Sequence, residues 1–210
     1  MRIVAISDTH THHRKLVIPD GDVLVHAGDV TSDGEIETIV DFADWFRALP
    51  HKHKLIVPGN HDFCFDISHA RYNSFAERLI DATGAHYLID ASRTIGGKKF
   101  YGAPWVPYLE LWAFWDRNRD RFESAPRDID VLVTHGPPRG IRDSNVMNTH
   151  FGSTHLVRYI NHCWNLRLHV FGHVHDGYGR SPDSDPIIFA NASSCNREYE
   201  PVNAPLVIDI

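Results

Sequence analysis

Short segments rich in valine, isoleucine and leucine recur along the chain, and most of them end at a glycine, proline, asparagine or other polar turn. Such segments are typical of strands in a largely buried sheet. Between several of them lie segments with apolar residues at helical spacing. We predict strands at residues 2–6, 22–26, 54–57, 98–102, 129–134, 166–171, 187–191 and 205–210, and helices at 34–49, 68–83 and 153–164. This alternation predicts an α/β architecture, with a partly mixed or antiparallel sheet where long helices are missing.

Length and composition narrow the class of protein. The 210 residues, of which 42% are hydrophobic, suit one buried core, so we predict a single domain over residues 1–210. No apolar run has the length of a membrane span, and three cysteines without paired spacing argue against a disulfide framework, so we expect a cytoplasmic protein with no membrane partner. The net charge of −6 disfavours generic nucleic-acid binding, which needs a basic surface.

The composition departs from the ordinary in its 16 histidines, several of which stand in polar motifs at the ends of predicted strands. The five motifs are Asp8-Thr9-His10, Gly28-Asp29, Gly59-Asn60-His61-Asp62, His135-Gly136 and Gly172-His173-Val174-His175. The carboxyl ends of strands are where α/β sheets place their chemistry. Any one of these motifs would more often be a turn or a buried histidine. Five of them, each at a strand end, are not expected by chance.

Spacing within two of the motifs suits a pair of metal ions. Residues two apart in an extended chain point the same way, so Asp8 and His10 can face one cation. His173 and His175 share that spacing and can serve two cations, which in two-metal hydrolases lie about 3.5–4 Å apart.

The remaining donors also fit a site for two metal ions. Two cations at that distance repel each other, and Asp29, in a tight glycine turn, suits the role of a bridging anion. Asn60 offers a neutral amide oxygen, and the neighbouring glycines let the backbone approach the metals. A mixed set of Asp, Asn and His favours Mn²⁺, iron or Zn²⁺ over Ca²⁺. We therefore expect two divalent metal ions, with Mn²⁺ preferred and iron or Zn²⁺ as alternatives.

Taken together and in this order, the motifs resemble those of the calcineurin-like metallophosphoesterase superfamily, over residues 1 to about 175. A narrower resemblance, to the metallophosphoesterase-domain-containing (MPPED-like) class III phosphodiesterase branch, lies in HAGDVT (26–31), YGAPWVPY (101–108), THGPPRGI (134–141), FGHVHDGYG (171–179) and FANAS (189–193). The resemblance implies an αββα sandwich of four layers, in which two mixed sheets are flanked by helices. It also implies a dinuclear metal site at the carboxyl ends of the strands.

The resemblance further implies a role for each motif residue. One metal ion would be held by Asp8, His10, Asp29 and His175, and the other by Asp29, Asn60, His135 and His173. His61 would contact the substrate phosphate or the leaving group. Asp62 joins His61 among the expected catalytic residues if it orients the histidine, and the alternative for Asp62 is a capping or turn role.

The expected reaction is hydrolysis of phosphodiester bonds, of small or cyclic nucleotides, by attack of a metal-bound hydroxide. Protein Ser/Thr phosphatases carry a Gly-Asp-x-x-Asp-Arg-Gly signature, but residues 28–34 read GDVTSDG, with no arginine to clamp a dianionic phosphate. The alternatives are a phosphomonoesterase, nuclease or pyrophosphohydrolase of the same superfamily, or a non-catalytic binding protein. The complete ligand set argues against the last of these.

Aromatic residues near the motifs bear on the substrate. The run Trp105, Tyr108, Trp112, Phe114 and Trp115, with Phe63 and Phe65 beside His61, could stack a nucleobase. We expect Trp112, Phe114 and Trp115 to pack the core or a dimer interface instead, and both readings stay open for Trp105 and Tyr108. The expected partner is a small phosphodiester or nucleotide substrate, and the sequence leaves open whether the chain forms a homo-oligomer.

Overall fold

A computed structural model of the chain describes residues 1–117 and 121–210, whose strands form two sheets. The first sheet contains β1 (Arg2–Ile6), β2 (Val23–His26), β3 (His53–Ile56), β4 (His86–Tyr87) and β11 (Leu206–Asp209). The second contains β5 (Ala91–Ile95), β6 (Lys98–Ala103), β7 (Val131–Thr134), β8 (Leu168–Phe171), β9 (Gly179–Arg180) and β10 (Ile188–Asn191). The strand orders are β11-β1-β2-β3-β4 and β5-β6-β7-β8-β10-β9.

Both sheets are mixed, as predicted. Strands β1 to β4 run parallel and β11 pairs antiparallel with β1. In the second sheet β6, β7, β8 and β10 are parallel, while β5 and β9 are antiparallel at its edges. The carboxyl ends of the parallel strands therefore share one edge of each sheet. At that edge a backbone bridge between Ser7 and Ser193 links the chain beyond β1 to the chain beyond β10.

Apolar side chains from both sheets meet in a common core. Examples that are fully buried are Ile3 and Val25 from the first sheet, and Phe100, Val133 and Val170 from the second. Alternate residues of a strand point to opposite faces of its sheet. The residues on the outer faces, such as Val4, Leu24 and Leu132, are also apolar and buried, so each outer face needs a cover.

Helices cover the two outer faces. Helices α1 (Ile36–Ala48) and α2 (Ser74–Asp81) pack on the first sheet, with α1 contributing Phe42 and Phe46. Helix α3 (Thr154–Ile160) packs on the second sheet through Leu156. The layers are therefore helix, sheet, sheet, helix, which confirms the expected αββα sandwich. None of the helices in the described ranges combines the length and apolar character that a membrane crossing needs.

One predicted helix starts later in the structure than in the sequence prediction. The helix expected at 68–83 begins at Ser74, and Asn73 rather than Ser68 caps it by accepting a hydrogen bond from the amide of Phe75 at 3.0 Å. Asp66 accepts hydrogen bonds from both the amide and the hydroxyl of Ser68, at 2.9 and 2.7 Å, which holds this segment in turns. A local side-chain bond thus competes with the helix.

The strand prediction missed β4, β5 and β9. Strand β5 is a polar edge strand with three exposed residues out of five, so it lacks the apolar pattern by which buried strands are found. Strands β4 and β9 have only two residues each. Their short length leaves no periodicity to detect.

We predict that the inter-sheet core dominates the stability of the fold. Phe100→Ala should lower the free energy of unfolding by about 3–5 kcal/mol, because it leaves a cavity between the sheets. Val17→Ala is the control, since Val17 is 86% exposed and its change should stay within about 0.5 kcal/mol. Urea denaturation of both variants measures the difference, and similar losses would contradict this placement of the core.

Candidate functional site

The five polar motifs follow β1, β2 and β3 in the first sheet and β7 and β8 in the second, and they converge at one edge of the sandwich. The structure brings together the side chains of all seven predicted ligands, namely Asp8, His10, Asp29, Asn60, His135, His173 and His175. The first four come from the first sheet and the three remaining histidines from the second. The site thus lies where the two sheets meet.

One group of donor atoms surrounds His10. The Nε2 of His10 lies 3.4 Å from Nε2 of His175, which in turn lies 3.5 Å from Oδ1 of Asp8. The Oδ2 of Asp29 is 3.7 Å from His10 Nε2. Ligands bound about 2.1 Å from one cation stand roughly 3.0–3.5 Å apart, so these separations suit a shared metal ion.

A second group surrounds His135. Its Nε2 lies 3.0 Å from Oδ1 of Asn60 and 3.3 Å from Oδ2 of Asp29. The ring of His173 lies against it, with centroids 5.1 Å apart. The same oxygen of Asp29 therefore approaches both groups, which is the position that a bridging ligand needs.

Backbone carbonyls orient three of the histidines. The Nδ1 atoms of His10, His135 and His175 lie 3.2, 2.9 and 2.8 Å from the carbonyl oxygens of Thr31, Ala27 and Asn196. A carbonyl only accepts, so each Nδ1 carries a proton, and Nε2 is the ring atom that faces the centre, where a bound cation would replace any proton on it. Histidines that bind metals are held in this way in many proteins. The donor set therefore fits divalent transition metals.

The centre buries two carboxylates. Burial alone would raise the pKa of Asp8, yet the hydrogen bond and charge of His175 hold it well below its ordinary value. Burial opposes ionisation of Asp29 in the same way, and His135 outweighs it, so the pKa of Asp29 is lowered. In return the carboxylates overcome burial at His135 and raise its pKa to about 9. Two ionised carboxylates thus gather positive charge around them.

Four of the candidate ligands have a strained backbone. The left-handed region of φ is one that residues other than glycine rarely adopt. It contains Asp8, His10, Asp29 and His173, whose φ values are 50°, 39°, 56° and 68°. Such strain costs about 1–3 kcal/mol per residue and persists where surrounding contacts fix it. Here it turns the donor atoms inward at the ends of the strands.

Two glycines are required by close approach. A Cβ atom on Gly59 would collide with the carboxylate of Asp29, and one on Gly172 would collide with that of Asp8. Neither glycine has a positive φ, so space rather than conformation demands them. This agrees with the close backbone approach that the sequence suggested.

The carboxylate of Asp62 lies among the backbone amides of two turns. Within the described residues its fully buried carboxylate accepts hydrogen bonds from the amides of Gly59, Val30 and Thr31, at 2.9, 3.3 and 2.9 Å. Burial raises its pKa to about 6. Asp62 thus ties the Asn60 turn to the Asp29 turn. These contacts are those of the turn alternative, and the catalytic role of Asp62 stays a prediction.

His61 lies beside the candidate ligands, as predicted. Its amide donates to Oδ1 of Asp29 at 2.9 Å, and its Nδ1 lies 2.7 Å from the carbonyl oxygen of Ser32. That carbonyl holds the proton on Nδ1, so Nε2 is the atom left for a substrate. The ring also lies close enough to His10 and Asp29 to form a potential metal group with them.

The aromatic run divides differently from the prediction. Phe114 is buried in the core, as expected, whereas Trp112 lies over the site, with its ring centroid 4.4 Å from that of His61 and 5.5 Å from that of Phe63. Trp112 is 37% exposed, so it is not buried in the core, and its role in an interface stays a prediction. Trp105 donates to Asp90 at 2.9 Å, away from the centre.

Two neighbours of the centre were not singled out from the sequence. The Ser193 hydroxyl lies 2.8 Å from Oδ2 of Asp8, and Tyr199 packs its ring 4.7 Å from that of His10. Ser193 ends the FANAS stretch, so that motif could have pointed to it. Tyr199 stands in no motif, and only the folded chain brings it to the site.

Comparison with known proteins agrees with this geometry. The family model for calcineurin-like phosphoesterases matches residues 1–177. Metallophosphoesterase domain-containing protein 1 from Homo sapiens and from Mus musculus are each 34% identical over 231 aligned positions, which cover 100% of this chain and 71% of theirs. UPF0046 protein C25E10.12 from Caenorhabditis elegans is 33% identical over 231 positions, covering 100% of this chain and 81% of that protein. The chain therefore belongs to the calcineurin-like phosphoesterase family.

Proposed function

We propose that the protein is a dinuclear metal-dependent phosphodiesterase that acts on small or cyclic nucleotides. Membership of the family supports the coarser statement, a metal-dependent phosphoesterase and hence a hydrolase that uses divalent metal ions. The observation that carries the proposal is the convergence of seven donor side chains beside His61 at one edge of the sandwich.

The proposed ligand sets follow the two groups of donors. Asp8, His10, Asp29 and His175 would hold one cation, and Asp29, Asn60, His135 and His173 the other. When bound, the cations supply Lewis acidity, which lowers the pKa of water and neutralises phosphate charge. Mn²⁺ is the proposed metal because four of the seven ligands are imidazoles.

The residues of the chain would then position the phosphate and handle a proton. Asp29 and Asn60 fix the two metal positions through their turns, which Asp62 holds together. His61 donates a hydrogen bond from Nδ1 to the carbonyl oxygen of Ser32 and presents Nε2 to the cleft. In the imidazolium form, which carries a second proton on Nε2, it would donate that proton to the departing alkoxide and be left neutral.

Charge supports a diester over a monoester. The two carboxylates offset half of the charge of two divalent cations. Arg197 is the only lysine or arginine among the described residues that line the cleft, and its Nε already donates to Glu198 at 2.6 Å. Beyond this one exposed side chain, the described lining offers a dianionic monoester no guanidinium clamp. For the location of the protein we propose the cytoplasm, which its three free, buried cysteines support.

The first test of function is metal dependence. Protein stripped with a chelator should not hydrolyse bis-p-nitrophenyl phosphate, and Mn²⁺ or another transition metal should restore more activity than Mg²⁺ or Ca²⁺ does. Elemental analysis should find metal in the active protein. Full activity in excess chelator would refute a metal-dependent reaction.

The second test concerns the bridging position. Asp29→Ala should lower kcat by several orders of magnitude, because it removes the carboxylate that approaches both donor groups. Asp62→Ala is the matched control: it should cost less activity but lower the free energy of unfolding by about 1–3 kcal/mol for each buried amide left without an acceptor. Kinetics and urea denaturation separate the two. Near-normal turnover of Asp29→Ala with both metals bound would exclude it as the bridge.

The third test concerns His61. His61→Ala should keep its metals and lower kcat by ~10²–10⁴ on alkyl diesters, the usual effect of a positioned proton donor. The loss should shrink for nitrophenyl diesters, because nitrophenolate needs little protonation as it leaves.

Two outcomes would contradict these assignments. Loss of metal from the His61→Ala protein would make His61 a ligand, consistent with its proximity to His10 and Asp29. A higher kcat/KM on p-nitrophenyl phosphate than on a matched nitrophenyl diester would move the function to a phosphomonoesterase.

A further inference from the structure

Strand β2 ends in a fully buried histidine, His26, which belongs to neither group of candidate ligands. It opens the stretch HAGDVT (26–31), three positions before Asp29. Each nitrogen of a buried imidazole needs a hydrogen-bond partner, because a buried polar group without one lowers stability. The role of His26 therefore follows from the partners of its two ring nitrogens.

These hydrogen bonds define the tautomer of the ring. Nδ1 accepts a hydrogen bond from the amide of Gly28 at 3.2 Å, so this nitrogen carries no proton. A neutral imidazole has one proton, which is therefore on Nε2. Nε2 lies 3.0 Å from the hydroxyl oxygen of Thr9 and donates to it. His26 thus has the opposite tautomer to a histidine such as His135, whose Nδ1 carries a proton, and its Nε2 is not free to bind a cation.

Both partners of the ring stand beside candidate ligands in the chain. Thr9 lies between Asp8 and His10, and Gly28 directly precedes Asp29. These three ligands belong to the group that would hold one of the two cations, and the fourth member of that group comes from the second sheet. The ring therefore joins the two turns that carry three of the four ligands of one metal position.

The two turns also contact each other through their backbones. The amide of Asp8 donates to the carbonyl oxygen of Gly28 at 2.8 Å, and the amide of His10 donates to that of Asp29 at 3.1 Å. All four of these residues have a positive φ. Strained conformations persist only where surrounding contacts fix them. The backbone bonds fix the spacing of the turns, and the imidazole connects them a second time from the interior.

Helix α1 holds the imidazole in place. Phe42, a residue of this helix, packs edge-on against the ring of His26, with centroids 5.3 Å apart. Both side chains are fully buried. Because the ring is enclosed, its two nitrogens stay directed at the two turns.

We propose that His26 is a positioning residue that joins the turn at 8–10 to the turn at 28–29 and thereby sets the affinity of one metal position, the one formed by Asp8, His10, Asp29 and His175. The inference rests on the two proposed metal positions. It goes beyond them because a side chain that touches neither cation would tune one position selectively. The other position shares only Asp29 with these turns, so it should depend on His26 much less.

The test measures the affinity for Mn²⁺ directly. Thr9→Val removes the hydroxyl and keeps the shape of the side chain, whereas His26→Phe keeps a ring against Phe42 and removes both hydrogen bonds. In titration calorimetry of chelator-stripped protein, each variant should bind one Mn²⁺ ion about tenfold or more weakly than the wild type does, while the other ion is affected by less than about threefold. The double variant should lose little more than His26→Phe alone, because the two changes remove the same contact.

Two further variants identify the affected ion. Asn60→Ala removes a ligand of the other position, and His10→Ala removes a ligand of the position in question. Adding Thr9→Val should weaken the remaining Mn²⁺ binding of the Asn60→Ala protein about tenfold or more. In the His10→Ala protein it should leave the remaining binding within about twofold.

His51→Phe is the matched control. His51 is also a buried histidine, and its Nε2 donates to the carbonyl oxygen of Pro19 at 2.9 Å. It lies before the amino end of β3, whereas the centre lies at the carboxyl ends of the strands. His51→Phe should lower the free energy of unfolding, as His26→Phe does, but leave both Mn²⁺ affinities within about twofold.

The outcomes separate this inference from the function beneath it. Unchanged Mn²⁺ affinities in Thr9→Val, or an equal loss of both, would overturn the positioning role and leave the metal site standing. An equal loss in the His51→Phe protein would also overturn it, since general destabilisation would then explain the effect. Thr9→Val changes a single hydroxyl, so it decides the question if His26→Phe does not fold. A wild-type protein that binds no divalent metal ion would overturn the proposed function itself.

Discussion

The structure depends on keeping two carboxylates ionised in the interior. Asp8 and Asp29 are fully or almost fully buried, and buried negative charge is costly unless positive charge and hydrogen bonds surround it. Imidazoles from both sheets, backbone amides and the Ser193 hydroxyl converge on them. Strained φ angles and glycines without room for a side chain are the local cost of that convergence. Divalent cations would complete the neutralisation of the two carboxylates. A site for such cations would explain why so many polar groups lie where two apolar sheets meet.

The sequence was informative about the centre because its donors obey a general rule of sheet geometry. In parallel sheets the carboxyl ends of strands share an edge, so polar motifs at the strand ends are brought together without knowledge of detailed packing. Asp29 and His135 are 106 positions apart in the chain, yet both follow strands, and their side chains lie 3.3 Å apart. The order of the layers could be predicted on similar grounds, because strands that are apolar on both faces need a second sheet or helices to cover each face.

Features that depend on which side chains compete for a backbone or ring partner could not be predicted from the sequence. The segment at 68–73 has helical spacing, but Asp66 binds the hydroxyl of Ser68, which would have to cap a helix beginning there. Asp62 and Trp112 illustrate the same limit, because the sequence offers each of them two roles and does not give their neighbours in the folded chain. Asp62 meets three inward-facing amides, and Trp112 meets the ring of His61. Tyr199 reaches the centre from a turn that carries no motif.

The division of the proposed ligands between the two sheets has a thermodynamic consequence. Cations held from both sides would act as a cross-link between layers that are otherwise joined by apolar contacts, the Ser7–Ser193 bridge and hydrogen bonds such as those of His135 with Ala27 and Ser193 with Asp8. Metal binding would then favour the packed sandwich, since a ligand that binds only the folded state stabilises it. Such linkage is reciprocal. A substitution between the sheets that lets one of them shift would weaken metal affinity without touching a ligand, so the apolar core is itself part of the metal site.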